Sequence, residues 1–227
     1  MNMTMFGFRL EDTGEQSIAV SKIVSDCNQL GTKKTRGELG RAIAVIVFEY
    51  SPRDLQQMKW NFAEKTQNID PGYRKGLEET ITGHLHGTYQ NVRIMNQQGA
   101  FSSLCEPVSD DARAFWNMVS VQCTKGDDED RIRFLKFLLA GFCMLVQGLP
   151  GHPVGMPFPG GDKVEFLEGV YYCPVRTKAG EVDAALCPFC PAHQTPEIGY
   201  LKPPVNASEH RKQEFINNCY DFHNFNG

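Results

Sequence analysis

Phe134-Leu135-Lys136-Phe137-Leu138-Leu139-Ala140-Gly141-Phe142-Cys143-Met144-Leu145-Val146 runs straight into Gln147-Gly148-Leu149-Pro150-Gly151-His152-Pro153, and this junction decides the architecture. The first part is apolar with one lysine. It is shorter than the roughly 20 apolar residues that cross a bilayer, so it reads as a buried core helix. The second part excludes helix, because proline removes a donor and glycine raises the entropic cost of ordering. From Gly148 to Pro204 the chain stays dense in both residues. The expected architecture is mainly α: a helical, bundle-like body over 1–148 and a small irregular Pro/Gly-rich, cysteine-bearing lobe over 149–204. A C-terminal helix over 205–227 returns to the body, all as one folding unit.

Upstream of the junction, caps mark helix starts. Thr35-Arg36-Gly37-Glu38 has the form of a capping box, followed by a stripe of Leu39, Ile43, Ile46, Val47 and Tyr50. Ile43 to Phe48 is β-branched enough for a strand, but the cap and the stripe favour helix. Ser51-Pro52-Arg53-Asp54 and Asp70-Pro71 each put a capping side chain before a proline that fits the first helical turn. Val20, Ile23, Val24, Cys27 and Leu30 share a face of the first helix, and Ala112, Phe115, Trp116, Val119 and Cys123 a face of a later one. Gly83 and Gly87 predict a close backbone approach, and their low helix propensity favours a break near Gly87. Asp127 to Asp130 reads as acids complementing a helix macrodipole. Downstream, Val164-Glu165-Phe166 and Val170-Tyr171-Tyr172 flank Leu167-Glu168-Gly169 as a hairpin. Asn206-Ala207-Ser208-Glu209 caps the terminal helix, with Phe215, Ile216 and Cys219 facing inward.

The 227 residues are 41% hydrophobic and 22% charged, which suits a globular chain. A net charge of −4 argues against binding nucleic acid by bulk electrostatics. No membrane span and no signal peptide is visible, so the expected location is the cytoplasm and the eight cysteines are expected as thiols or metal ligands. Cys27, Cys123 and Cys143 sit on apolar faces and read as core.

Cys173, Cys187 and Cys190 differ. Each is followed by proline, and the last two form Cys-x-x-Cys, a spacing that brings two sulfurs to one centre. Four-coordinate zinc needs a fourth ligand, and His152, His193, Cys143 and Cys219 are the candidates. The same three thiols with an open iron position would suit an iron–sulfur cluster. Cys187-Pro188-Phe189-Cys190 is also similar to the dithiol of glutaredoxin-like oxidoreductases, but that fold needs most of its sheet after the motif, and this chain is nearly over there. His84-x-His86 points its two rings in different directions on a helix, so these cannot chelate one ion. Pro159 to Lys163 reads as a tight turn, or alternatively as an anion nest beside the lobe.

Gly151-His152-Pro153-Val154-Gly155, Pro157-Phe158-Pro159-Gly160-Gly161, Tyr172-Cys173-Pro174-Val175 and Leu186-Cys187-Pro188-Phe189-Cys190 together resemble a protein family of methanogenic archaea that has no assigned activity. The resemblance is specific from Phe134 to Gln194 and loose before it. It implies a cytoplasmic archaeal protein in an anaerobic setting. It also implies that His152 and the three cysteines belong to the shared motif while His193 does not, which selects His152 as fourth ligand. The leading expectation is a zinc protein with a structural or interaction role, an accessory factor acting with another protein. The alternatives are a metal- or iron–sulfur-dependent enzyme with an open coordination position, and a thiol–disulfide oxidoreductase using Cys187 and Cys190. Substrate and oligomeric state have no readable signature.

Overall fold

The computed structural model describes residues 12–127, 129–158, 161–177 and 186–196. The chain is mainly α. Among the described residues, six α-helices precede the lobe: α1 Asp12–Leu30, α2 Arg36–Val47, α3 Pro52–Thr66, α4 Pro71–Gln97, α5 Ala112–Gln122 and α6 Asp130–Gly141. A short 3-10 turn, Ala100–Ser103, joins α4 to α5, and α6 continues as a π-helical turn, Phe142–Val146. No helix among the described residues is long and apolar enough to cross a membrane. The expected helix over 205–227, with Cys219, lies outside the described residues.

The caps form as read. Glu38 accepts from the backbone N–H groups of Lys34 and Thr35, and the Thr35 hydroxyl accepts from the Glu38 N–H. Asp54 accepts from the Ser51 N–H at 2.7 Å, and Asp70 from Gly72 and Tyr73, both at 3.0 Å. These caps override the β tendency of the Ile43 run. Helix α2 is deeply buried, with Leu39, Ile43, Ala44 and Val47 fully covered.

Three expectations are corrected. Gly83 and Gly87 make no close approach: a Cβ at either would meet nothing within 4 Å, and α4 runs unbroken past both. Close contact is permitted instead by Gly37 and Gly40, where α2 lies against Phe101 of the 3-10 turn, and by Gly141, where α6 lies against Phe115 and Trp116. Val24 is 37% exposed although Ile23, Cys27 and Leu30 of its helix are buried. The acids before α6 do more than complement a dipole. They enclose Arg133, only 2% exposed, which pairs with Asp130 at 2.5 Å and Asp127 at 3.0 Å. Asp130 also accepts from the Gly126 N–H at 2.7 Å. A buried guanidinium is tolerated only when its donors are matched, and this acidic turn matches those of both terminal nitrogens.

The lobe holds strands β1 Glu165–Leu167, β2 Val170–Cys173 and β3 His193–Gln194, in the order β1-β2-β3. β1 and β2 are antiparallel with Leu167 opposite Val170, so Glu168-Gly169 is a two-residue turn. Their φ values of +50° and +85° are those of the I′ turn, whose twist suits a hairpin. β3 joins β2 in parallel. Where 159–163 is described it is a turn, closed by Phe158 N–H to Asp162 O at 2.7 Å and Gly161 N–H to Phe158 O at 3.2 Å.

The lobe's small core is shared with the body. Met156, Phe158, Val164, Cys173, Val175 and Ala192 are buried against Ile69 and Leu77 of the body, and Tyr73 of α4 donates its hydroxyl to the Pro157 carbonyl at 2.9 Å. Leu186 joins the main helical core, with Phe189 packed on it.

Glycine substitutions separate these roles. Gly40→Ala would bring a Cβ to 2.6 Å from the Phe101 ring, and its cost in urea unfolding is expected at about 1–3 kcal/mol. Gly83→Ala, in open space, is expected to stabilise by about 0.5–1 kcal/mol. Equal effects at the two positions would contradict the packing described.

Candidate functional site

Three short devices converge beside the junction. The hairpin delivers Cys173 at the end of β2, where its carbonyl accepts from the Thr195 N–H at 3.2 Å. Cys187–Phe189 is a 3-10 turn with Pro188 in its first two positions, and the Cys190 N–H closes it onto the Cys187 carbonyl at 3.0 Å. The loop after the π turn brings Gly151 and His152 alongside. The Gly151 N–H donates to Cys190 Sγ at 3.4 Å, and His152 Nδ1 lies 4.0 Å from Cys173 Sγ. The Val175 N–H also donates to the Cys173 sulfur. Backbone donors aimed at sulfur favour the thiolate, the form that binds metals.

All three thiols share one electrostatic environment. Burial pushes Cys173 up to about 11, and Cys190 raises it further. Burial pushes Cys187 up to about 12, reinforced by Cys173 and Cys190. Arg176, donating from Nε to the Ala192 carbonyl at 3.0 Å, acts in the opposite direction on both. Sequence reading overlooked this arginine. The available signal was a cation three residues after Cys173.

His152 therefore sits beside Cys173, and neither His193 nor Cys143 does, while Cys219 lies outside the described residues. His193 is exposed and pairs in register with Tyr172, one residue before Cys173, so strand alternation turns it to the opposite face. Cys143 is buried in the π turn, 3.3 Å from Thr88 Oγ1 and 3.7 Å from His84 Nε2. Cys27 and Cys123 are core residues, and none of the described cysteines is in a disulfide. As the side chains stand, no group of three or more His, Cys, Asp or Glu among the described residues is gathered so as to hold a metal ion.

Residues 35–195 match the model of a family described as an uncharacterized protein conserved in archaea, DUF2115. The chain belongs to this archaeal family. The matched span takes in much of the helical body as well as His152 and the three motif cysteines, and it stops before Cys219. A UPF0305 protein of Methanothermobacter thermautotrophicus is 53% identical over 51 residues, 22% of this chain and 33% of that one. A UPF0305 protein of Methanopyrus kandleri is 34% identical over 71 residues, 31% of this chain and 50% of the relative. These two alignments span a third and a half of the relatives they match. A longer alignment to a UPF0305 protein of Methanothermobacter thermautotrophicus covers 148 residues at 32% identity, 64% of this chain and 88% of that one. No solved structure matches the chain.

The buried thiols give the metal-free chain a defined pH response. Cys173 and Cys187 hold their protons more tightly folded than unfolded, where a thiol ionises near 9. Their contribution to stability is thus complete below about pH 9 and is lost as pH rises toward 11. Chelator-treated protein should show a falling urea midpoint from pH 8.5 to 10.5, less so in a Cys187→Ala variant. A midpoint that rises over that interval would contradict the burial of these thiols.

Proposed function

We propose that the lobe binds one metal ion, zinc in the first instance, through Cys173, Cys187, Cys190 and His152, and that the metal organises a surface for another protein of methanogen metabolism. The observation that carries the reading is the approach of His152 Nδ1 to Cys173 Sγ at 4.0 Å. In a zinc tetrahedron with the usual bond lengths, a nitrogen and a sulfur ligand stand about 3.6 Å apart. The pair is within about half an ångström of that edge, so side-chain rotation rather than refolding would complete it. The N–H groups of Gly151 and Val175 supply the second support, because each is directed at a sulfur. A third is the lobe itself. Its few buried side chains lean on the body, and small turn-rich units of this kind commonly draw stability on the order of 10 kcal/mol from metal binding.

Two observations weigh against the dithiol reading. A nucleophilic cysteine needs a lowered pKa, whereas burial pushes Cys187 up to about 12. The turn that begins at Cys187 is a single 3-10 turn of three residues, too short to supply a helix macrodipole. An iron–sulfur cluster would use the same sulfur donors and differs from zinc in its visible absorption.

Anaerobically purified full-length protein is expected to carry about one zinc per chain, with no acid-labile sulfide and no visible band. Cys187→Ser should lose the metal and become protease-sensitive between Gly148 and Pro204. His152→Ala should retain zinc at an affinity weaker by about ten- to a hundredfold. Unchanged metal content in Cys187→Ser would overturn the reading, and iron with sulfide would replace zinc by a cluster.

A further inference from the structure

A cavity of about 60 Å³ lies between the helical body and the loop that carries His152. Its walls come from α3 (Met58, Phe62), α4 (Ile81, His84, Leu85), α6 (Lys136, Ala140) and the lobe side (Gly151 to Pro153, Met156, Leu186). A volume of this size would accommodate several waters or a ligand of a few heavy atoms. The wall is apolar except at three side chains, Lys136, His84 and His152. All three are basic, and no acidic residue among the described residues lines the space. An apolar pocket with a few convergent polar groups is the usual form of a small-molecule site. Lys136 supplies the charge and His84, whose pKa burial lowers, a neutral ring donor, so the complementary ligand is an anion.

We propose that this cavity is a binding site for a small aliphatic carboxylate, its acid group taken by Lys136 and His84 and its alkyl chain by Phe62, Ile81, Leu85 and Met156. The site does not depend on the metal reading: His152 contributes to the wall whether or not it also holds an ion.

Three observations support the assignment. Lys136 is half-buried in an otherwise apolar stretch of α6 whose neighbours Leu135 and Phe137 are fully buried. Desolvation draws Lys136 down to about 7, and Lys65 and Arg133 add to the effect while Glu129 opposes it. An arriving carboxylate would offset that penalty, so this amine gains more from an anion than a surface lysine does. His84 is held in place by the contact of Nε2 with Cys143 Sγ at 3.7 Å, and Cys143 lies in the π turn that ends α6. Such turns interrupt a regular helix at some cost and often occur where a site is built.

The test uses the full-length chain as purified and four probes of one size: butyrate, butyramide, 1-butanol and butylammonium, each titrated by NMR or calorimetry. Butyrate is expected to bind at least about tenfold more tightly than the amide or the ammonium, the usual advantage of a charge-assisted hydrogen bond. Lys136→Met keeps the stem and removes the charge. It should weaken butyrate by about tenfold or more and leave 1-butanol within about twofold. Ala140→Leu should fill the cavity and abolish binding of all four probes. If Lys136→Met does not fold, the acid-to-amide ratio on the natural chain and the Ala140→Leu result still decide. Equal affinity for acid and amide, butyrate binding that survives Ala140→Leu, or no binding by any probe would each overturn the proposal. None of these outcomes bears on whether Cys187→Ser loses metal.

Discussion

The ring of Phe189, set edge-on against Phe115 at 5.4 Å, is the contact on which the lobe depends. It lies between Cys187 and Cys190, so the knuckle that carries two thiols is anchored by the side chain between them. Phe115 is itself fully buried beside Trp116, which gives this anchor the rigidity of the helical core. An aromatic pair contributes about 0.5–1.5 kcal/mol beyond the area it buries. Cys173 and Ala192 then pack with the lobe's buried residues, while Leu186 joins the body. The thiols stand at the seam between two cores, and burial there raises the pKa of Cys173 and of Cys187.

That position has a chemical consequence. A thiol lodged in an apolar seam is inert as a nucleophile yet suited to a metal, because a cation supplies the charge that burial withholds. The donors around the seam are aimed accordingly, with Gly151 toward Cys190 and Val175 toward Cys173. Arg176, which acts on both Cys173 and Cys187, is fixed by the Ala192 carbonyl and so belongs to the lobe's own framework. Membership in an archaeal family with relatives in methanogens agrees with the family to which the motif pointed. It leaves the chemistry to be argued from these residues.

Much of the helical body was legible because its signals are local. The Thr35–Glu38 box, the Asp54 and Asp70 caps and the stripe from Ala112 to Cys123 each lie within a few turns of chain, and each formed where its residue types require. The hairpin was equally legible, since Glu168-Gly169 can be read as a turn without knowing what it packs on. What failed was non-local. Whether Gly83 or Gly40 admits a neighbour depends on where Phe101 lies, many residues away in sequence. The acids before α6 were read by their own helix end, but their charge is spent on Arg133, whose burial only the packing of α5 on α6 creates. In the site, Cys-x-x-Cys and the Pro-flanked Cys173 stood out in the sequence. The choice among fourth ligands did not, because it turns on strand alternation at His193 and on the path of the loop after the π turn.

The central claim, that three sulfurs and one imidazole share one metal ion, is tested most directly by X-ray absorption at the metal edge of the anaerobically purified full-length protein. The account predicts a first shell of three sulfurs at about 2.3 Å and one nitrogen at about 2.0–2.1 Å, with the nitrogen replaced in His152→Ala. A shell of oxygen and nitrogen only, a shell of four sulfurs, or protein that carries no metal would contradict it.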